Sequence, residues 1–349
     1  PRVTASGSLP GHDPQNVVNL SDASSWRSEG SDRPEWLQID FGQEREFGGL
    51  VIHWEDGLRG REFEALVSAD GAGWSRVYAT SQADSGRSYL YLPDTVARYV
   101  RLRLNRSTGG LGFGIRGVEV RPKEVSRCLN HFFESVARDH RAGLYPKYLL
   151  GRQTYWTPAG TVRGEGQALL NEEGMVEVDK GSFSIAPFLF DAGRLITWAD
   201  AELGQDLARG CLPIPSAQWR TERLAMRVTV CTAGRPGRPV IYLRYRIENR
   251  TSEGLSVRFF AAILPFQVTP TWQNWRSFGG ARTIRELTFR GGVVRIDEEK
   301  AVIPLTAAAG FGASAFAQGG VVQSLAGGEL PERVDVKDEF GFASGALRF

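Results

Sequence analysis

Cysteine and histidine are scarce in this chain of 349 residues, and their scarcity narrows its chemistry. Cys128, Cys211 and Cys231 form an odd set without metal-type spacing. One disulfide at most can join them, and buried free thiols account for them equally well. The histidines are His12, His53, His131 and His140, so a histidine-based triad or histidine-ligated zinc within the second half is excluded. No run of 18 or more apolar residues is present, which rules out a membrane-spanning helix. A charged segment followed by an apolar one is missing from the start, so no signal peptide is visible. Because the sequence opens at Pro1, it is expected to be a processed or trimmed form. There is no G-x-S-x-G elbow, no P-loop and no dinucleotide fingerprint between a strand and a helix. The scattered glycines of GGLGFG (109–114) precede a strand and read as a loop. An excess of either charge is missing too, with Lys+Arg 42 against Asp+Glu 40. Arginine alternates with acidic residues along the strands, which argues against nucleic acid as a partner.

What the chain does have is turn formers and alternation. Gly 41 and Pro 17 suit many short strands, and the length suits two domains. After a loop-like opening over 1–35, WLQIDF places Leu37, Ile39 and Phe41 on one face. RYVRLRL likewise sets Val100, Leu102 and Leu104 against Tyr99, Arg101 and Arg103. Strands are predicted at 47–54, 62–68, 74–79, 88–92, 98–104 and 114–120, with a turn at Asp70-Gly71. That pattern predicts a β-sandwich. Over 123–141 the spacing of Val125, Leu129, Phe132, Phe133 and Val136 predicts one amphipathic helix, stopped by Gly143 and Pro146. Strand texture then resumes, as in RLAMRVTV and VIYLRYRIEN, and predicts a large antiparallel sandwich. The fold class is therefore all-β. The first domain is assigned to 1–122, a linker helix to 123–143, and a second β-sandwich to 144–349, expected to be truncated at its C-terminal end.

DPQNVVNLSDASSW (13–26), PEWLQIDFG (34–42), FEALVSADGAGWSRVY (63–78), ARYVRLRL (97–104) and GFGIRGVEV (112–120) together carry a resemblance. In order and content the segment from about 3 to 121 resembles the discoidin, or coagulation-factor C-type (F5/8 type C), domain, a jelly-roll sandwich that includes many bacterial carbohydrate-binding modules. The resemblance implies a structural calcium (Ca2+) held by oxygens, which map to Asn19, Asp22, Ser24 and Glu119. The usual Asp-Gly-Asp pattern is replaced by Asn19-Leu20-Ser21, which removes carboxylates, and a loop tied by hydrogen bonds alone is the alternative. It also implies a glycan or polysaccharide partner bound by loops at one end of the sandwich. Loops 53–61 and 105–113 offer His53, Glu55, Asp56, Arg59 and Arg61, faced by Asn105 and Arg106. The plain alternative for each is a solvated surface residue. Trp54 and Phe113 read as core, and Leu58 and Leu111 are the apolar loop residues a lipid-binding member would use.

The region from 144 onward, through GLYPKYLLGRQTYWTPAG, LLNEEGMVEVDKGSFSIAPFLF and AAILPFQVTPTWQNW, resembles the N-terminal β-sandwich of multidomain glycoside hydrolases and phosphorylases. In those enzymes an α-helical toroid is catalytic, which implies a C-terminal catalytic domain in the full-length protein. Glycosidic hydrolysis needs two convergent carboxyls. Glu165, Glu172, Glu173, Asp179, Asp200, Glu202 and Asp206 are available, but NEEG and VDKG read as turns, so no catalytic residue is assigned. Among Tyr155, Trp156, Trp198, Trp219, Trp272 and Trp275, the last two lie in a polar stretch after Pro270 and are the candidates for sugar stacking or for an interface. Three functions stay open: a non-catalytic carbohydrate-binding and support segment of a bacterial protein, part of a glycoside hydrolase or phosphorylase, and an adhesion module for protein or lipid headgroups. The domain types favour an extracellular or periplasmic setting.

Overall fold

The computed structural model describes residues 1–20, 24–30, 33–161, 166–235, 237–273 and 278–349. It divides into two compact units, Pro1–Val136 with Ala317–Gly319, and Ala137–Phe316 with Gly320–Phe349.

The first unit is built from β1 (Arg2–Ala5), β2 (Trp26–Arg27), β3 (Glu35–Trp54), β4 (Gly60–Ser68), β5 (Ser75–Thr80), β6 (Arg87–Ser107) and β7 (Gly114–Arg121). Their order is β2-β7-β3-β6-β4-β5, with β1 added to β3, and every pairing is antiparallel. Strands β3 and β6 run for 20 and 21 residues, and their pairing shifts register between Asp40 and Arg45 and again between Phe47 and Gly49. Such irregularities bend a strand within the sheet. The bend needs glycine: a Cβ on Gly48 would lie 2.7 Å from the Pro122 carbonyl oxygen, and one on Gly49 2.8 Å from that of Leu90.

Alternation decides which side chains go inside. Leu37 and Ile39 pair with Leu102 and Val100, and all four are buried. Trp36 and Gln38 pair with Arg103 and Arg101 on the other face. There the Arg101 guanidinium lies 4.0 Å from the Trp74 ring centre and 5.0 Å from that of Trp36. Its Nε and Nη2 both donate to Gln38 Oε1, at 3.1 and 2.6 Å.

The continuous helix expected over 123–141 is not formed. A 3-10 turn covers Lys123–Ser126, and α1 spans only Leu129–Arg138. The Ser126 carbonyl accepts from the Tyr91 hydroxyl at 3.0 Å, and the Phe132 amide donates to the Cys128 carbonyl at 3.2 Å at the start of α1. The boundary between the two units falls inside α1, between Val136 and Ala137.

The second unit opens with β8 (Trp156–Gly160), β9 (Gln167–Asn171), β10 (Val176–Glu177), β11 (Ser184–Asp191) and β12 (Arg194–Ile196). A meander follows, β13 (Glu202–Leu207), β14 (Pro215–Arg220), β15 (Leu224–Arg235) and β16 (Arg238–Asn249), and then β17 (Arg258–Leu264). The last strands are β18 (Glu286–Arg290), β19 (Val293–Ile296), β20 (Lys300–Val302), β21 (Gly310–Ser314), β22 (Asp335–Lys337) and β23 (Ser344–Arg348), with the short helix α2 (Gly320–Ala326) before β22. They form one sheet ordered β21-β23-β17-β11-β10-β9-β8 with β12 on β11, a second ordered β13-β14-β15-β16, and a third ordered β20-β19-β18-β22. Central β11 is buried on both faces, so it shows no alternation. Ile185, Leu189, Trp219, Val228, Phe259 and Phe311 belong to one core cluster. The all-β class read from the sequence is the class observed, with two α-helices among the described residues.

A planar cation stacked between two rings does more than a point charge can. Arg101→Ala is expected to destabilise the first unit by about 1–2 kcal/mol, one cation–π increment per ring. Arg101→Lys should recover less than half of that loss. Urea unfolding followed by tryptophan fluorescence reads both, and full recovery by lysine would leave charge alone as the cause.

Candidate functional site

Chain geometry brings three loops together at one end of the first unit. β3 ends at Trp54, whose ring is buried and whose Nε1 donates to Ser88 Oγ at 2.8 Å. Beyond it the Glu55 amide donates to the Gly114 carbonyl at 2.9 Å, and the Gly114 amide to the Leu58 carbonyl at 2.9 Å. The Thr108 amide donates to the Arg59 carbonyl, also at 2.9 Å. Loop 55–59 is thereby fastened to the loop after β6.

Arg59 stands at the centre. Its Nη2 donates to Asp56 Oδ1 at 2.9 Å and its Nη1 to the Asp84 carbonyl at 3.2 Å. Its Nε is buried and has no hydrogen-bond partner among the described residues; the same holds for Ser107 Oγ at the end of β6. The Asp56 side chain is 76% exposed, with Arg116 3.8 Å away. Arg59 holds the Asp56 carboxyl below its ordinary range by hydrogen bond and charge, so it stays an anion at neutral pH. A guanidinium beside an exposed carboxylate presents donors and acceptors together, as a polyhydroxylated ligand requires.

The other sequence candidates divide. His53 does not face this group; its Nε2 is bonded to Glu119 on the neighbouring strand. Glu55 is turned inward, accepting from Ser25 Oγ at 2.8 Å and from Arg27 Nε at 2.9 Å. The Arg27 hydrogen bond and charge keep its carboxyl below the usual range despite burial, so Glu55 fastens the β2 segment and is no free ligand group. Arg106 lies 3.7 Å from Glu62 on the paired strand, while Arg61 and Asn105 are half-buried with no side-chain partner named among the described residues. Sequence reasoning missed Asp84, Arg116 and Ser107. The turn composition of the loop holding Asp84 was the one available signal, since nothing in sequence ties it to Arg59.

Three of the four implied calcium ligands fall among the described residues. Asn19 is exposed, Ser24 is half-buried, and Asp22 lies outside the described residues. Glu119 is held by His53 and by Arg121, the latter at 3.2 Å. No group of three or more histidine, cysteine or carboxylate side chains that could hold a metal ion occurs among the described residues. Calcium takes several converging oxygens, main-chain carbonyls among them, and of the implied ligands Glu119 is already engaged by His53 and Arg121.

In the second unit the aromatic candidates also divide. Trp198 and Trp219 are core, donating through Nε1 to the carbonyls of Tyr145 and Glu173, each at 3.0 Å. Tyr155 and Trp272 are exposed, and Trp275 lies outside the described residues. The turn after Asn171 is closed by the Gly174 amide on the Asn171 carbonyl, yet its two glutamates are buried. Glu172 pairs with Lys147 and accepts from the Tyr155 amide. Glu173 accepts from the Lys147 amide at 3.1 Å and from Asn171 Nδ2 at 3.0 Å. Burial pushes the Glu173 carboxyl up to about 8, and the Glu172 charge adds to that rise. The remaining carboxylates are held elsewhere: Asp179 by Lys300 at 2.7 Å, Asp200 by Arg141 and Arg194, and Asp206 by Arg227 at 2.8 Å. Glu202 is exposed, and Glu165 lies outside the described residues.

The family model named F5/8 type C domain matches residues 2–117. Residues 2–117 are an F5/8 type C domain. Solved structures similar to the chain include chitosan-binding module 2, in complex with chitotriose, from a chitosanase/glucanase of Paenibacillus sp. IK-5. The identity is 22%, covering 34% of this chain and 95% of that one, with TM-score 0.33. CpGH89CBM32-5 from Clostridium perfringens, in complex with GalNAc-β-1,3-galactose, is 19% identical over 34% of this chain and 94% of that one, with TM-score 0.31. A GH29 fucosidase of Ruminococcus gnavus is 17% identical over 34% of this chain and 24% of its own, with TM-score 0.31. A search of curated proteins returned no match. The loop group around Arg59 thus belongs to the F5/8 type C domain.

Two outcomes follow from these groups. Saturating calcium, or a chelator, should leave the melting temperature of the chain unchanged; a rise with calcium would restore the oxygen site around Asn19 and Glu119. Glu173 titrates near 8 when folded and near 4.5 when unfolded, so the folded state holds the extra proton between those values. Stability of the second unit should therefore fall as pH rises from 5 to 8, by a few kcal/mol at most. Glu173→Gln should flatten that slope in melts across the range.

Proposed function

We propose that this chain is a non-catalytic carbohydrate-binding and support segment of a larger carbohydrate-active protein. Its F5/8 type C domain engages glycan hydroxyls through the loop end centred on Arg59. The observation that carries the reading is the exposed carboxylate of Asp56, held beside the Arg59 guanidinium at 2.9 Å. A sugar hydroxyl both donates and accepts, so one hydroxyl can bridge guanidinium and carboxylate, and a neighbouring hydroxyl extends the contact to Arg116, 3.8 Å from Asp56. Resemblance of the domain to sugar-binding discoidin modules points the same way. The second unit is assigned support for a catalytic domain of the full-length protein, because its carboxylates are largely spent on internal ion pairs and backbone amides.

A glycan array probed with the chain tests this directly. Binding to defined saccharides is expected, and Arg59→Ala should weaken it at least tenfold, roughly the worth of a charged hydrogen bond. A blank array from a folded sample would end the reading. Leu111 is 74% exposed near the same loops, so phosphatidylserine vesicles form the second arm. Sedimentation with vesicles that is abolished by Leu111→Ser would replace the glycan with a lipid surface.

A further inference from the structure

In the second unit two large rings are held at the surface by buried chemistry. Tyr155 is 59% exposed and Trp272 51% exposed. Beneath Tyr155, the buried carboxylate of Glu172 accepts from the Tyr155 amide at 2.9 and 3.2 Å, and the Lys147 ammonium lies 5.8 Å from the ring centre. Trp272 packs edge-on against buried Tyr148 with ring centres 6.2 Å apart, and the Tyr148 hydroxyl donates to the Gln267 carbonyl. A reciprocal clamp ties the two segments: the Thr154 amide donates to Gln273 Oε1 at 3.1 Å, and Gln273 Nε2 returns a bond to the Thr154 carbonyl at 3.0 Å.

We propose that Tyr155 and Trp272 form a second saccharide platform, separate from the Arg59 loops, for an oligosaccharide of β-linked, all-equatorial pyranoses. Leaving two such rings in water forgoes the burial that normally stabilises them, and here the fold fixes their bases, with Lys147 over one face of Tyr155. Rings already fixed lose little freedom when a ligand arrives. Next to them in the chain, Gln153 is exposed and Thr271 half-buried, so polar groups border the apolar faces. That mixture suits a ligand with apolar faces and polar edges. A pyranose with every hydroxyl equatorial presents C–H groups on both faces, whereas an axial hydroxyl would press a polar group against a ring. Two rings on two clamped segments engage more than one sugar unit, which calls for an oligosaccharide.

Isothermal titration of the intact chain with cellopentaose tests the platform, with mannopentaose, whose 2-hydroxyls are axial, as the comparison. Cellopentaose should bind and mannopentaose should bind more weakly. Trp272→Ala and Tyr155→Ala should each weaken cellopentaose binding roughly tenfold, while Trp272→Phe keeps it within about threefold. Arg59→Ala should leave it unchanged, which separates this platform from the loop site. Absence of cellopentaose binding, binding indifferent to both alanine variants, or binding lost in Arg59→Ala would each overturn the proposal. Because both rings are exposed, the variants should melt with the parent; if one does not fold, the other and Trp272→Phe decide.

Discussion

The pairing of β3 with β6 is the constraint on which the first unit depends. Two strands of 20 and 21 residues stay hydrogen-bonded to each other while bending through two register shifts. The bend exists because Gly48 and Gly49 let backbones approach within distances that a Cβ would forbid. It also determines where both strands end. The end of β3 delivers loop 55–59, and the end of β6 delivers Ser107 and Thr108 beside it, joined through the Arg59 carbonyl. The candidate site is the place where these two strands run out, and backbone hydrogen bonds tie its loops to each other.

Charge is used for fastening in both units, in different dielectric settings. On the outer face of the first unit, arginines stack on rings or pair with carboxylates under partial solvent, where each contact contributes modestly. In the second unit the carboxyl groups of Glu172, Glu173 and Glu177 are buried within one short hairpin region and accept backbone amides. Glu177 takes the amides of Gly181 and Val268, and Glu173 takes that of Lys147. Burial raises the carboxyls of Glu173 and Glu177, the expected consequence of removing an acid from water faster than donors replace it. The same hairpin holds up the Tyr155 ring, so loop order and ring exposure have one physical origin.

Local periodicity made much of the fold legible. Leu102 and Val100 fell on the buried face because a strand alternates its side chains, and Trp54 read as core because it shares a face with Ile52. The turn at Asn171-to-Gly174 was legible from its composition. Over 123–141 the helical spacing was real, but the run divides into a 3-10 turn, whose Ser126 carbonyl is bonded to Tyr91, and the helix Leu129–Arg138. The roles of His53, Glu55 and Glu119 were illegible for a similar reason. Their partners lie 66 residues away for His53 and 28 for Glu55, and only strand register brings them together.

The sequence by itself determined the class of structure and the chemistry at hand. Alternation fixed sheet faces, glycine and proline placed turns, and the shortage of histidine and cysteine removed whole classes of site. Tertiary structure decided which polar groups remain available. Glu55, Glu119 and His53 satisfy one another or their neighbours, whereas Asp56 keeps an open carboxylate beside Arg59. That choice depends on contacts between residues distant in the chain, and a polar group's availability is what is left after those contacts have formed.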